Sequence, residues 1–250
     1  MTVPFHPSHA NMRGMKGIRR DYADGPFGLV HFQDTGSGRP LILCHQAPMS
    51  SRQFDSVYPV FAKHGIRAIG IDTPGFGNSD PTDFIPRVED WAAAVPAVLD
   101  HLGLERVDIL GHHTGALVAT EVALQFPGRI GNLILAGPLP LEEEERQNFL
   151  KGVEQREINF EYKTDGSHLV DRFATRFRMY GPDADPQLIT RYTAEQMIGR
   201  GPFWYGHYAA FKYNHNDSIP KIKQRTLILT NTGDQIYEHA KWTKRMRPDF

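Results

Sequence analysis

A chain of 250 residues with 40% apolar content, including 15 Phe, 9 Tyr and 3 Trp, is long and apolar enough for one large packed domain, which excludes wholesale disorder. Its 28 basic and 29 acidic residues leave a formal charge of −1, so it lacks the basic surplus of a nucleic-acid-binding protein, and its one cysteine, Cys44, cannot form an internal disulfide. The longest apolar stretch, Trp91 to Leu99, is about half a membrane span and contains Pro96, and no secretory signal opens the chain, so a cytoplasmic protein with no membrane partner is expected.

Residues 1–20 read as an N-terminal arm, with two prolines and the basic residues Arg13, Lys16, Arg19 and Arg20. From there short apolar runs alternate with helical patterns. Phe27–Phe32 reads as a strand closed by the turn residues Asp34–Gly38. Pro40–His45 is apolar on both faces, as buried parallel strands are, and Ser50–His64 has helical spacing. Ile66–Ile71 is the next strand, followed by a Gly-rich and Pro-rich loop and a helix over Val88–Leu102. Val107–Leu110 reads as a strand, Gly115–Gln125 as a helix and Ile130–Ala136 as a strand. This alternation predicts an α/β fold with a mostly parallel sheet flanked by helices. The rhythm breaks over Gly137–Ile219, which reads as an all-helical insertion, and resumes with the strand Thr226–Thr230 and a helix over Tyr237–Met246. The division expected is therefore an arm (1–20), a first core part (21–138), a helical cap (139–218) and a last core part (219–250).

Chemistry concentrates at Gly111-His112-His113-Thr114-Gly115, between a strand and a helix. In a tight strand-to-helix turn the outer positions favour Gly, while the middle residue is held out beside the N–H groups that open the helix. Those N–H groups are suited to a developing oxyanion. Three further pieces stand in order around this turn: Cys44-His45-Gln46-Ala47-Pro48, the loop Asp72-Thr73-Pro74-Gly75-Phe76-Gly77-Asn78-Ser79-Asp80, and Leu227 to Tyr237. Together they resemble the α/β-hydrolase superfamily across nearly the whole chain. The resemblance implies an oxyanion turn at 44–48, a nucleophile elbow at 111–115 and the triad acid at Asp234. By position it makes the Ala47 and Thr114 N–H groups the oxyanion donors.

Three departures qualify the resemblance. His113 stands where the family usually has Ser, sometimes Asp or Cys, and Gln46 replaces the usual Gly of the oxyanion turn. The family's last strand and triad histidine are expected beyond Phe250 and are not in this sequence. That predicts an exposed sheet edge at Thr226–Thr230, and with it a possible homodimer contact.

Each candidate has a plain alternative. His113 is either a base or nucleophile, or the relic of a lost site; imidazole suits the former near neutral pH. Asp234 either orients a histidine or caps the next helix. His112 and His45 are set down as pocket residues whose commoner use is packing and hydrogen bonding; Gln46 either donates its amide to a substrate oxygen or caps its loop. Trp204, His207 and Tyr208, from an aromatic run over 203–211, form either a wall over the elbow or the packing of the insertion. Asp72 reads as a structural loop acid and Cys44 as core. Ser50 and Ser51 lack a visible base. His207 and His215 make no metal pair, so neither metal nor cofactor is expected. The partner expected is a small, largely apolar molecule with a carbonyl: an ester, lactone or diketone. A binding protein without turnover and a cofactor-free lyase or decarboxylase are the alternatives.

Overall fold

The structure, a computed structural model, describes residues 17–250. Seven strands form one sheet: β1 (Arg19–Gly25), β2 (Gly28–Thr35), β3 (Arg39–Cys44), β4 (Ile66–Ile71), β5 (Val107–His112), β6 (Ile130–Ala136) and β7 (Arg225–Leu229), in spatial order β1-β2-β4-β3-β5-β6-β7. β1 and β2 form an antiparallel hairpin, β2 pairs antiparallel with β4, and β4, β3, β5, β6 and β7 run parallel. The α/β architecture with a mostly parallel sheet is as the sequence predicts.

Alternate residues of the central strands serve opposite faces, as the period of two requires. Ile42 and Cys44 of β3 join one apolar cluster, with Trp91, Val95 and Leu99; Leu41 and Leu43 join another, with Phe54 and Tyr58. The helices supplying these faces are α1 (Tyr58–Lys63), α2 (Val88–Ala92), α3 (Ala94–His101) and α4 (Thr114–Gln125). Ten of the twelve α4 residues are buried, so this helix is the spine of the larger cluster.

Four differences from the sequence reading have physical reasons. β1 is a strand inside what reads as arm and loop: Arg19 and Arg20 open it, and the arm's residues 1–16 lie outside the described ones. Its residues are almost all exposed, with Ala23 the one buried side chain, so an edge strand of this kind has no apolar pattern to betray it. The first core strand runs on to Thr35 rather than ending at Phe32. The helix expected over 50–64 is a 3₁₀ turn, Ser51–Phe54, followed by the short α1. The helix expected over 88–102 is two, α2 and α3; Pro96 has no N–H to give the Ala92 carbonyl, and the break falls at Ala93.

Between β6 and β7 the described chain is helical: α5 (Glu143–Val153) with a π turn at Glu154–Ile158, α6 (Ser167–Tyr180), α7 (Pro186–Ile198), α8 (Tyr205–Lys212) and α9 (His215–Ser218). α10 (Tyr237–Met246) follows β7. His215 pins this insertion to the core. Thr120 gives its hydroxyl proton to Ala116 O (2.9 Å), so His215 Nε2 donates to Thr120 Oγ1 (3.0 Å), while its Nδ1 accepts from Leu139 N–H (3.2 Å). Burial lowers the His215 pKa to about 3, which fits this neutral role. Among the described strands β7 is an edge, with Leu227 and Leu229 about half exposed. Among the described residues no helix is long and apolar enough to cross a membrane.

Chain order sets the place of the site. After β3 the chain steps to β4 on one side, then returns to β5 on the other, so the sheet's order reverses between the C-terminal ends of β3 and β5. Crevices at such reversals are where open α/β sheets bind ligands.

Candidate active site

The Gly111–Gly115 turn occupies that crevice. His113 joins β5 to α4 at φ 50°, ψ −114°, and is the one non-glycine residue with positive φ among the described residues. A Cβ on Gly111 would overlap the Gly115 carbonyl, and one on Gly115 would overlap the Cys44 carbonyl at the end of β3. Both glycines are thus required by backbone approach, and that approach brings the α4 N-terminus against the turn after β3. The His113 backbone is fastened on both sides: its N–H donates to Ala136 O (2.8 Å) and its carbonyl accepts from Ala116 N–H (2.7 Å). Holding a non-glycine residue there costs on the order of 1–3 kcal/mol, which these contacts offset.

The His113 ring meets Asp234. Asp234 Oδ1 accepts from Ile236 N–H (3.0 Å), which fixes the carboxylate, and Oδ2 lies 3.0 Å from His113 Nε2. Burial raises the Asp234 pKa, but the bonds from Ile236 and His113 and the neighbouring imidazoles outweigh it, and the net shift is downward. An ionised carboxylate only accepts, so His113 Nε2 carries a proton, and in the neutral ring Nδ1 then holds the lone pair. No hydrogen bond among the described residues takes up that Nδ1, and the side chain is 32% exposed. Gly137 completes the seat: at φ +69° it lies against the ring, where a Cβ would stand 2.9 Å from Nε2.

Beside it, the His112 ring stacks on His113 (centroids 4.3 Å apart, planes at 15°). Burial and the adjacent His113 lower the His112 pKa to about 4. Its neutral Nδ1 accepts from Gln53 Nε2 (2.8 Å), and Gln53 Oε1 accepts from Gln46 N–H (2.9 Å). Gln53 therefore ties the turn after β3 to the turn after β5. Nothing in its sequence context marks it, and Gly137 likewise reads only as the end of a strand.

The turn after β3 has its backbone well satisfied up to Ala47. The Gln46 N–H is taken by Gln53, and its carbonyl accepts from His45 Nδ1 (2.9 Å) and Met49 N–H (2.9 Å). The Ala47 and Thr114 N–H groups have no acceptor among the described residues. Gly206 of α8 sits on Ala47, where a Cβ would overlap the alanine methyl.

His45 is not a pocket residue. It is buried, its Nε2 accepts from Thr73 N–H (3.0 Å) and its Nδ1 donates to Gln46 O, so neither nitrogen is left for a ligand. Burial, against the pull of Asp72, lowers its pKa and keeps it neutral. Trp204, His207 and Tyr208 are also not brought to His113 by any described contact. α8 presents Gly206, Ala209 and Ala210 to the core, and at about 100° per residue Trp204 and Tyr208 lie roughly opposite Gly206. Trp204 packs on Tyr205 and Tyr208, and His207 Nδ1 pairs with Glu157 Oε1 (2.7 Å) while stacking on Phe211.

Asp72 is structural. It is buried and accepts from His31 Nδ1 (2.8 Å), Ser51 N–H (2.7 Å) and Asn78 N–H (2.9 Å). Ser50 and Ser51 are buried, with the Ser50 hydroxyl on Glu195 and the Ser51 hydroxyl on Gln33. Burial pushes the Cys44 thiol up to about 12, leaving it inert. The described residues contain no group of three or more metal-ligating side chains. A cavity of about 400 Å³ lies among Arg39, Asp108 and Asn132, and one of about 510 Å³ beside Glu142, Glu145 and Phe149; His113 lines neither.

The family model described as the alpha/beta hydrolase fold matches residues 39–243, and the chain belongs to that family. It is 30% identical over 216 residues to a non-heme haloperoxidase of Rhodococcus erythropolis, covering 83% of this chain and 79% of that one. It is 37% identical over 113 residues to a 2-hydroxy-6-oxononadienedioate/2-hydroxy-6-oxononatrienedioate hydrolase of Paraburkholderia phymatum, spanning 43% of this chain and 39% of the relative. Among solved structures, an esterase from Exiguobacterium antarcticum superimposes with a TM-score of 0.74 at 20% identity, covering 91% of this chain and 87% of the other. The enol-lactonase from Burkholderia xenovorans gives 0.73 at 17% identity, with 90% and 87% covered. At these identities the structural likeness speaks for the fold.

Proposed function

We propose that this protein is a cofactor-free hydrolase of small carbonyl compounds (esters, lactones or diketones) in which His113 is the general base. The observation that carries the reading is the 3.0 Å contact from His113 Nε2 to Asp234, which leaves the Nδ1 lone pair unclaimed in the crevice between β3 and β5. The named activities of the relatives, a dienedioate hydrolase and structurally an esterase and an enol-lactonase, are of this chemical kind.

In the proposed reaction a water bound against Nδ1 gives up its proton to the imidazole while its oxygen bonds to the substrate carbonyl carbon. The carbonyl π electrons move onto oxygen, and the Ala47 and Thr114 N–H groups hold that charge. Asp234 stabilises the imidazolium that forms, as a carboxylate does for a catalytic histidine. On collapse the bond to the leaving group breaks, and the imidazolium returns its proton to that group. No acyl-enzyme forms on this route, because the attacking oxygen is the water's and His113 only takes and returns its proton.

The test is turnover of a panel of small esters, lactones and 1,3-diketones by the protein and by His113→Ala. The reading expects turnover that vanishes in the variant, without labelling of the turn by fluorophosphonate probes. Robust turnover by His113→Ala, or probe labelling at Ser50 or Ser51, contradicts it. Absence of turnover on every class, with tight binding retained, favours a binding protein.

A further inference from the structure

Two arginines one turn apart on α6, Arg172 and Arg176, lack an ionic partner. Among the described residues no carboxylate oxygen lies within 4.0 Å of either guanidinium. Arg176 donates one bond, from Nη2 to Gln196 Oε1 (3.2 Å), and its Nε is buried with no acceptor. Arg172 donates to the Arg156 carbonyl (2.8 Å) and lies over the Phe160 and Phe203 rings, 4.5 and 5.2 Å from their centroids. Glu157 spends Oε1 on His207, and its Oε2 is buried and unpartnered. Both side chains are half-buried, and a guanidinium withdrawn from water is ordinarily paired, since an unneutralised charge there is costly. Burial disfavours the cationic form of Arg176; Tyr180 favours it without reversing that, and the like charge of Arg172 adds to the effect of burial.

Their place in the molecule is equally specific. Both arginines lie on the stretch of α6 that packs on α7, where Arg176 meets Gln196. Phe203, under Arg172, precedes Gly206, which rests on Ala47. Through Phe203 the arginine pair thus adjoins the segment of the insertion that touches the turn after β3. We propose that Arg172 and Arg176 form a subsite for a carboxylate, so that the substrate is a carbonyl compound bearing an acid group. A planar carboxylate matches the fork of donors that the guanidinium groups leave unused. This adds an acid group to the small, largely apolar carbonyl compound expected from the sequence. The assignment of the acid as substrate rests on the function proposed above; the binding itself does not.

The experiment is equilibrium binding of adipate and of dimethyl adipate by calorimetry, to the whole protein and to Arg176→Gln, Arg176→Lys, Arg172→Gln and the exposed control Arg178→Gln. Thermal melts report whether each variant is folded. The expected result is adipate bound at least tenfold more tightly than its diester. That preference is lost in Arg176→Gln, reduced in Arg172→Gln and Arg176→Lys, and kept in Arg178→Gln. No preference in the unaltered protein, or one that survives Arg172→Gln/Arg176→Gln, overturns the subsite. His113→Ala separates the two proposals: it abolishes turnover and leaves adipate binding intact, whereas failure of the subsite leaves the His113 chemistry standing.

Discussion

Two loops at the C-terminal edge of the sheet each present an aspartate to a histidine, and they use the pair in opposite ways. After β4, Asp72 meets His31 at 2.8 Å with both side chains at 5% exposure or less. After β7, Asp234 meets His113 at 3.0 Å with the imidazole 32% exposed. Asp72 is saturated by two backbone N–H donors besides the imidazole, and it knits β2, the Ser51 turn and its own loop together. Asp234 takes one backbone N–H and one imidazole, and that imidazole has a second nitrogen facing away from it. The same two residue types at the same distance therefore build a structural pin where every edge is used and a reactive centre where one edge is left over.

The largest effect that this comparison predicts is on activity. His113→Ala should lower kcat/KM by roughly 10³-fold, about 4 kcal/mol of transition-state stabilisation, with little change in melting temperature. Next comes stability at the other pair. Asp72→Asn should cost about 3 kcal/mol in urea unfolding, because His31 and two backbone donors lose their charged acceptor. Burial pushes the Asp72 carboxyl up, but His31, His45 and the Asn78 N–H outweigh it and leave its pKa lowered. Its contribution is accordingly full above roughly pH 4, the unfolded value, and is lost as pH falls through the folded one. A loss of activity in Asp72→Asn larger than its loss of stability would break the comparison.

A third prediction sharpens it. Gly137→Ala places a methyl against the His113 ring at a φ that alanine resists, so it should reduce kcat by about 100-fold, or about 2.7 kcal/mol, by displacing the imidazole from Asp234. A fourth concerns His215, whose folded pKa is lowered to about 3. Between that value and about 6.5 the unfolded chain binds a proton that the folded chain refuses. Stability should therefore fall as pH drops through this window, by up to about 1.4 kcal/mol per pH unit, and His215→Gln should flatten the slope in urea melts at pH 5 and 7. Smallest, Gln53→Ala should cost about tenfold in kcat with KM little changed, since it loosens the tie between the turns after β3 and β5.

What the sequence shows and hides follows from the kind of constraint. Gly111, Gly115 and Asp234 are legible because they answer to backbone approach and chain order: a Cβ at either glycine strikes a carbonyl, and an acid after the β7 strand lies at the same sheet edge as the turn after β5. β1 is hidden because an exposed edge strand needs no apolar alternation. The direct His113–Asp234 contact is also hidden, since a sequence places both at one edge without setting which imidazole meets which acid. The insertion is fixed by side-chain pairings rather than backbone collisions, so the sequence left Trp204, His207 and Tyr208 open between a wall over the site and packing of the insertion. The contacts fit packing: His207 is spent on Glu157, 50 residues earlier. Nothing in the sequence marks Arg172 and Arg176; only the absence of carboxylates around them among the described residues sets them apart.

The most direct test of the account is the tautomer of the two histidines, read by long-range ¹H–¹⁵N correlation in protein labelled at histidine, with His31→Gln and His113→Gln to assign the signals. The account predicts opposite tautomers at neutral pH: His113 protonated at Nε2 with an unprotonated Nδ1, and His31 with its proton on Nδ1 toward Asp72. A His113 ring protonated at Nδ1 would remove the lone pair on which the proposed chemistry depends and would contradict it.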